Sequence, residues 1–197
     1  MASEVEICNA ALTYLGDKLI TSLTDNNNQA RACNARYGMV RDAVTRAHPW
    51  NCAMHRVADQ ASEATAPVWE FTDSYVLPTA PHCLRVVEVR NYKPEEWIVE
   101  GRRLLISASP IDFRYLKRMD TSGDIDSTMV EAISARLAHS ICIRLTNDEE
   151  KKRELWRTYK EILAEARTMN AFEGRAFIKR KSVFREVRGP RRQVPLY

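Results

Sequence analysis

His48, Cys52 and His55 fall within eight positions of one another in the stretch RDAVTRAHPWNCAMHR, Arg41 to Arg56, and His82 and Cys83 stand side by side further on. Imidazole and thiolate are zinc ligands, and zinc needs three or four of them converging tetrahedrally. An H-x3-C spacing could place two on one helical face. Pro49 lies inside that spacing, however, and it pushes the residue before it out of the helical region. His82 and Cys83 cannot easily both aim inward, because successive side chains of a strand point to opposite faces. A structural corner accounts for the stretch better: His48 hydrogen-bonded near a helix end, Pro49 stopping the helix, and Trp50 buried as the large anchor.

Other chemistries find less. A cysteine nucleophile needs a lowered thiol pKa and an orienting third group, and no local signature supplies them. No G-x-S-x-G elbow, G-x-x-x-x-G-K loop or H-E-x-x-H pair is present, and six glycines are few for a phosphate cradle. The loop pairs Glu95-Glu96 and Asp124-Asp126 are candidates for sugar hydrolysis by position only, since the separation two catalytic carboxylates need is set by tertiary structure. No enzyme, cofactor or metal is expected.

The elements that must hold these residues are legible in part. Val5, Cys8, Leu12 and Leu15 recur at helical spacing from Ser3, and Gly16 follows as a stop signal. Cys33, Tyr37, Val40 and Val44 mark one face of a second helix from Gln29 to about Ala47. A third fits Ser127 to Leu145, with Asp126 as its cap, and a fourth runs from Asp148 to about Asn170. Between the second and third, WEFTDSYVLP, CLRVVEVRN, EWIVEGRRLLIS and IDFRYLKR are short aromatic and β-branched runs parted by Pro, Gly and Ser. Glu100-Gly101-Arg102 reads as a tight hairpin.

The pattern predicts an α+β, mainly α chain: a four-helix bundle (1–56 and 119–170) with a small antiparallel β insertion (57–118) and an extended basic C-terminal arm (171–197).

With 197 residues, 45% apolar and 28% charged, the chain suits a globular domain and has no apolar run approaching the ~20 residues of a membrane span. Acids near the N-terminus replace the lysines of a secretory signal, so synthesis is expected in the cytoplasm, with its five scattered cysteines free. The net charge of +4 is unevenly spread: the arm alone holds eight basic residues against two acids, leaving the rest slightly acidic. Its interleaved Phe177, Phe184 and Tyr197 with Arg180, Arg185, Arg191 and Arg192 fit two partners. They could stack bases and neutralise phosphates, or fill pockets and pair carboxylates on an acidic protein surface.

ICNAALTYLG, ITSLTDNNNQARACNARYGMVRDAVTRAHPWNCAMHR, VWEF, the LP of SYVLP, HCLRVVEV, WIVEGRRLLIS, IDFRYLKRMD and EAISARLAHSICIRL follow in an order that resembles phage head-to-tail adaptors. The closest group is the tail tubular protein A family of short-tailed phages. The likeness covers roughly Glu4 to Ala166, is most specific at HPWN and W-x-V-E-G-R-R-L-L, and fades in the arm. Cys52 stands where that family often has phenylalanine. The resemblance implies a structural virion protein at the head-to-tail junction, forming a dodecameric ring with copies of itself. Such a ring lies under the portal protein, extends the channel for genomic DNA and receives a downstream nozzle-type tail protein. It also implies a structural role for His48, Pro49 and Trp50, and a portal-binding arm in which Phe177, Arg180, Phe184, Arg185, Arg191, Arg192 and Tyr197 are the contact candidates. A DNA-binding virion protein and a tail-associated cell-wall hydrolase are the alternatives.

Overall fold

A computed structural model describes residues 2–65 and 67–173 of the chain. Helix α1 (Glu4–Leu15) opens on a capping box: Ser3 Oγ accepts from the Glu6 amide at 3.1 Å, and Glu6 Oε2 accepts from the Ser3 amide at 2.6 Å. It closes at Gly16, whose φ of +68° a glycine adopts without a Cβ clash. Helix α2 (Asn28–Ala47) is capped by Asn27, whose Oδ1 accepts from the Ala30 amide at 2.7 Å. Asp126 caps α3 (Ser127–Thr146) by accepting from the Thr128 amide at 2.9 Å. At the start of α4 (Glu149–Glu173), Asp148 Oδ1 accepts from the amides of Glu150 and Lys151. Each such cap stabilises its helix by about 1 kcal/mol.

Helix α3 is the hub, and α1, α2 and α4 each pack along it. Ile133, Leu137 and Ile141 of α3 meet Ile7 and Leu12 of α1, Cys33 and Val44 of α2, and Leu155 and Leu163 of α4 in one buried cluster. Lys151 Nζ reaches the Leu15 carbonyl at 2.6 Å and ties the start of α4 to the end of α1.

The sheet region corrects the expectation of a four-helix bundle carrying a small insertion. The chain is α+β, with two three-stranded antiparallel sheets beside the helices. One has the order β1 (Met54–Gln60), β6 (Ile111–Lys117), β3 (Cys83–Val89); the other has the order β2 (Asp73–Val76), β5 (Arg103–Ile106), β4 (Trp97–Glu100). The sheets enclose a core of their own, built from Tyr75, Leu77, Val86, Val89, Leu104, Ile106, Ile111, Phe113 and Tyr115. Strand β1, MHRVADQ, accounts for part of the shortfall. It has Val57 as its one β-branched residue and carries polar groups along most of its length, so alternation does not mark it. Its place is fixed by pairing with β6, more than fifty residues later, where Met54 lies opposite Leu116 and Val57 opposite Phe113.

Strand β6 serves both cores. Phe113 and Tyr115 point into the β core, while Leu116 and the following Met119 belong to the helical one. Successive side chains of a strand point to opposite faces, so the neighbours Tyr115 and Leu116 enter different cores, while Asp112 and Arg114 on the Leu116 face stay half-buried. Among the described residues no helix is long and apolar enough to cross a membrane.

Candidate functional site

The His-Pro-Trp corner sits where α2 hands the chain to β1. His48 ends α2 in extended conformation, and Trp50 turns back under the helix with 1% of its surface exposed. Its indole Nε1–H donates to the Val44 carbonyl at 3.0 Å, satisfying both the buried indole and one of the carbonyls left free at a helix end. The His48 ring meets the Trp50 ring edge-on at 5.0 Å.

Asn170 of α4 clamps this corner from outside. The Asn51 amide donates to Asn170 Oδ1 at 2.8 Å, and Asn51 Nδ2 donates to the Asn170 carbonyl at 2.8 Å. A backbone amide can only donate, so the Asn170 side chain is oriented: its Nδ2 faces His48 Nε2 at 3.1 Å and the Pro49 carbonyl at 3.4 Å. His48 Nε2 is therefore an acceptor, and the ring is neutral. Burial holds its pKa below the ordinary histidine value, and the Arg167 and Arg85 charges push it the same way. The clamp thus fixes the C-terminal stretch of α4 against the corner.

The other candidate ligands are dispersed. Cys52 is half-buried with Sγ 3.8 Å from Met129 Sδ, and His55 leans on the Tyr115 ring at 5.3 Å. His82 faces Arg102, and burial pushes the Cys83 thiol up to about 11. Among the described residues no three His, Cys, Asp or Glu side chains gather to hold a metal ion. Glu96 accepts from the Lys93 amide, while Asp126 is occupied as the α3 cap. Burial works against ionisation of Asp126, but the Thr128 hydroxyl and amide outweigh it and hold the carboxyl below its usual range.

Two arrangements have no counterpart among the sequence candidates. The first is Arg102, in the turn between β4 and β5. Its guanidinium donates to the carbonyls of Pro78 (2.9 Å), Leu77 (3.2 Å) and Cys83 (3.3 Å) and faces His82 Nε2 at 3.2 Å. Since arginine only donates, that nitrogen accepts. Arg102 thus holds the segment that carries the chain from β2 in one sheet to β3 in the other.

The second is a cleft of about 490 Å3 on the outer face of the β2-β5-β4 sheet. Cross-strand pairing puts Ser74, Leu105 and Ile98 in one row of that face and Val76, Arg103 and Glu100 in the next. The segment after β1 crosses over it: the Glu63 amide donates to the Ser74 carbonyl at 2.7 Å, and Glu63 Oε2 accepts from Arg103 Nε at 2.9 Å. Trp69 and Val68 stand at the mouth, 76% and 98% exposed, and Ile98 lies bare beside Leu105. Glu70 and Glu100 join Glu63 in the lining, so its acids outnumber its one arginine.

No known family model matches the chain, and no curated protein matches it. The arm residues Phe177, Arg180, Phe184, Arg185, Arg191, Arg192 and Tyr197 lie outside the described residues. Asn170 left no signal in the sequence, because its partners are some 120 positions away. Arg102 sits in the W-x-V-E-G-R-R-L-L stretch and Trp69 in VWEF, but local pattern gives neither its contacts.

Proposed function

We propose that the protein is a structural virion component, a head-to-tail adaptor. Copies of it would assemble as a ring beneath the portal protein, extend the channel for the genome and give the next tail component a platform. The observation that carries this reading is the clamp at Asn170. It holds the C-terminal stretch of α4 on the His-Pro-Trp corner, a few positions before a sequence rich in arginine and phenylalanine, and an anchor placed there would start from the same point in every subunit. In a ring, such an arrangement would present one identical anchor per subunit to a symmetric partner, and many modest contacts would add to a tight one. The resemblance around HPWN and WIVEGRRLL supports the same reading.

Native mass spectrometry of the chain mixed with the portal of the same virus tests it, with full-length protein beside a version ending at Glu173 that keeps the clamp. One multi-subunit complex formed only by the full-length chain is the expected result. Complexes from both versions would move the portal contact to the folded body. Binding by neither, together with strongly salt-dependent binding of the full-length chain to duplex DNA, would replace the adaptor with a DNA-binding protein.

A further inference from the structure

We infer that the outer edge of strand β4 is a docking site for another protein. It takes an extended segment as an added strand, apolar on one side and basic on the other. This contact goes beyond the portal anchor proposed above and does not require it.

Hydrogen-bond direction leaves the edge open. The Leu77 amide donates to the Arg102 carbonyl at 2.9 Å, so Arg102 and Leu104 turn their backbone groups toward β2. Arg103 and Leu105 then turn theirs toward β4, where they lie opposite Glu100 and Ile98. The N–H and C=O groups of Trp97 and Val99 therefore point away from the sheet, and among the described residues nothing bonds to them.

The other three edges are blunted. Along β2, the Glu63 amide and the Gln60 side chain donate to the Ser74 and Val76 carbonyls. On β3, Arg46 and Arg102 reach the Leu84 and Cys83 carbonyls, and the register is broken twice. Strand β1 is polar along most of its length and slips between Val57 and Gln60. Strand β4 instead pairs regularly and runs Trp97-Ile98-Val99, with Ile98 43% and Val99 38% exposed. A free apolar edge of this kind accepts a further strand through its backbone.

Charge selects the occupant. Glu95, Glu96 and Glu100 are exposed, and no ion pair of the described residues engages them. Arg103 is held by Glu63, and Arg102 by the Leu77 and Pro78 carbonyls. Glu100 also lines the cleft with Glu70, so the acidic surface continues across the outer face. A second copy's β4 would set EEWIVE against EEWIVE, acids on both sides and no base. The other edges of such a copy are the blunted ones. The strand that fits therefore comes from a different protein. Its apolar side chains lie beside Val99 on the core face, and its lysines or arginines lie beside Glu100 on the outer face, with their stems along Ile98.

Amide exchange of the full chain, read by NMR with and without the heptapeptide KVKVKVK, tests this. At saturation the Trp97 and Val99 amides are expected to exchange about tenfold more slowly, while Ile98 and Glu100, already bonded to β5, change little. A fully N-methylated version keeps the charges but donates no backbone hydrogen bond, and is expected to protect nothing. EVEVEVE is expected to leave the natural chain unprotected and to be preferred over KVKVKVK by the variant Glu95→Lys with Glu100→Lys. Protection by the N-methylated peptide equal to that by KVKVKVK, or no protection by KVKVKVK, would overturn the added strand. An unchanged preference in the variant would overturn the basic occupant. Protection of Trp97 and Val99 in the chain alone that fades on dilution would also overturn it, by giving the edge to a second copy.

Discussion

At the residue scale, one amide decides how the corner responds to pH. Asn170 Oδ1 is committed to the Asn51 amide, so Nδ2 must donate toward His48, and His48 must remain neutral to receive it. Its folded pKa is depressed, so the unfolded chain binds the proton more readily. The stability this group contributes is fully present above the unfolded value of about 6.5 and is lost as pH falls through the lower folded value. His139 titrates in the same sense, because burial and the charges of Arg136 and Lys152 also depress it. Asn170→Ala removes the clamp while leaving the partners half in water, and is expected to cost about 1–2 kcal/mol at neutral pH. Asn170→Asp is the sharper test. It keeps the acceptor for Asn51 but puts a carboxylate oxygen opposite the His48 lone pair. Protonated His48 would then gain a charged partner, its folded pKa would rise above the unfolded one, and the contribution of this pair would appear below about pH 6.5. Thermal melts from about pH 7.5 to 5 should therefore fall less steeply for Asn170→Asp than for the natural chain. Parallel curves would mean that His48 and position 170 do not communicate.

At the scale of the elements, the helices were readable and half of the sheet architecture was not. Each helix carries its own apolar stripe and its own cap, and both are local, as the Ser3–Glu6 box and Asp126 illustrate. The hairpin at Gly101 was equally local, since a turn residue with φ of +57° between two apolar runs calls for glycine. Strand β1 depends on a remote partner, and the division of six strands into two sheets depends on the crossing segment between Leu77 and Cys83. Arg102 determines where that segment lies, through three carbonyls that a planar fork of donors can reach together. Lysine brings a single ammonium and cannot serve three diverging carbonyls from one position. Arg102→Lys is expected to cost about 2 kcal/mol and to speed amide exchange first at Cys83, whose amide donates to the Pro78 carbonyl, and next at Leu77. Unchanged exchange there, with the loss in stability spread elsewhere, would remove Arg102 from this role.

At the scale of the whole molecule, the question is whether two cores make two folding units. The sheets enclose one apolar cluster and the helices another, which taken alone would allow the chain to melt in two steps. Strand β6 argues against that. It pairs with β1 on one side and β3 on the other, contributes Phe113 and Tyr115 to the β core, and sends fully buried Leu116 into the helical core two residues before the chain leaves for α3. Loss of either core exposes a face of the same strand, so each is stabilised by the other. Leu116→Ala leaves a cavity in the helical core and is expected to cost about 2–5 kcal/mol. Because β6 is shared, the far-UV signal of the helices and the exchange of β-core amides such as Phe113 and Val89 should shift to lower urea together, with one midpoint. A helical transition that moved alone, with β-core amides still protected above it, would show that the sheets fold as an independent unit. In that case β6 would be a boundary between two units.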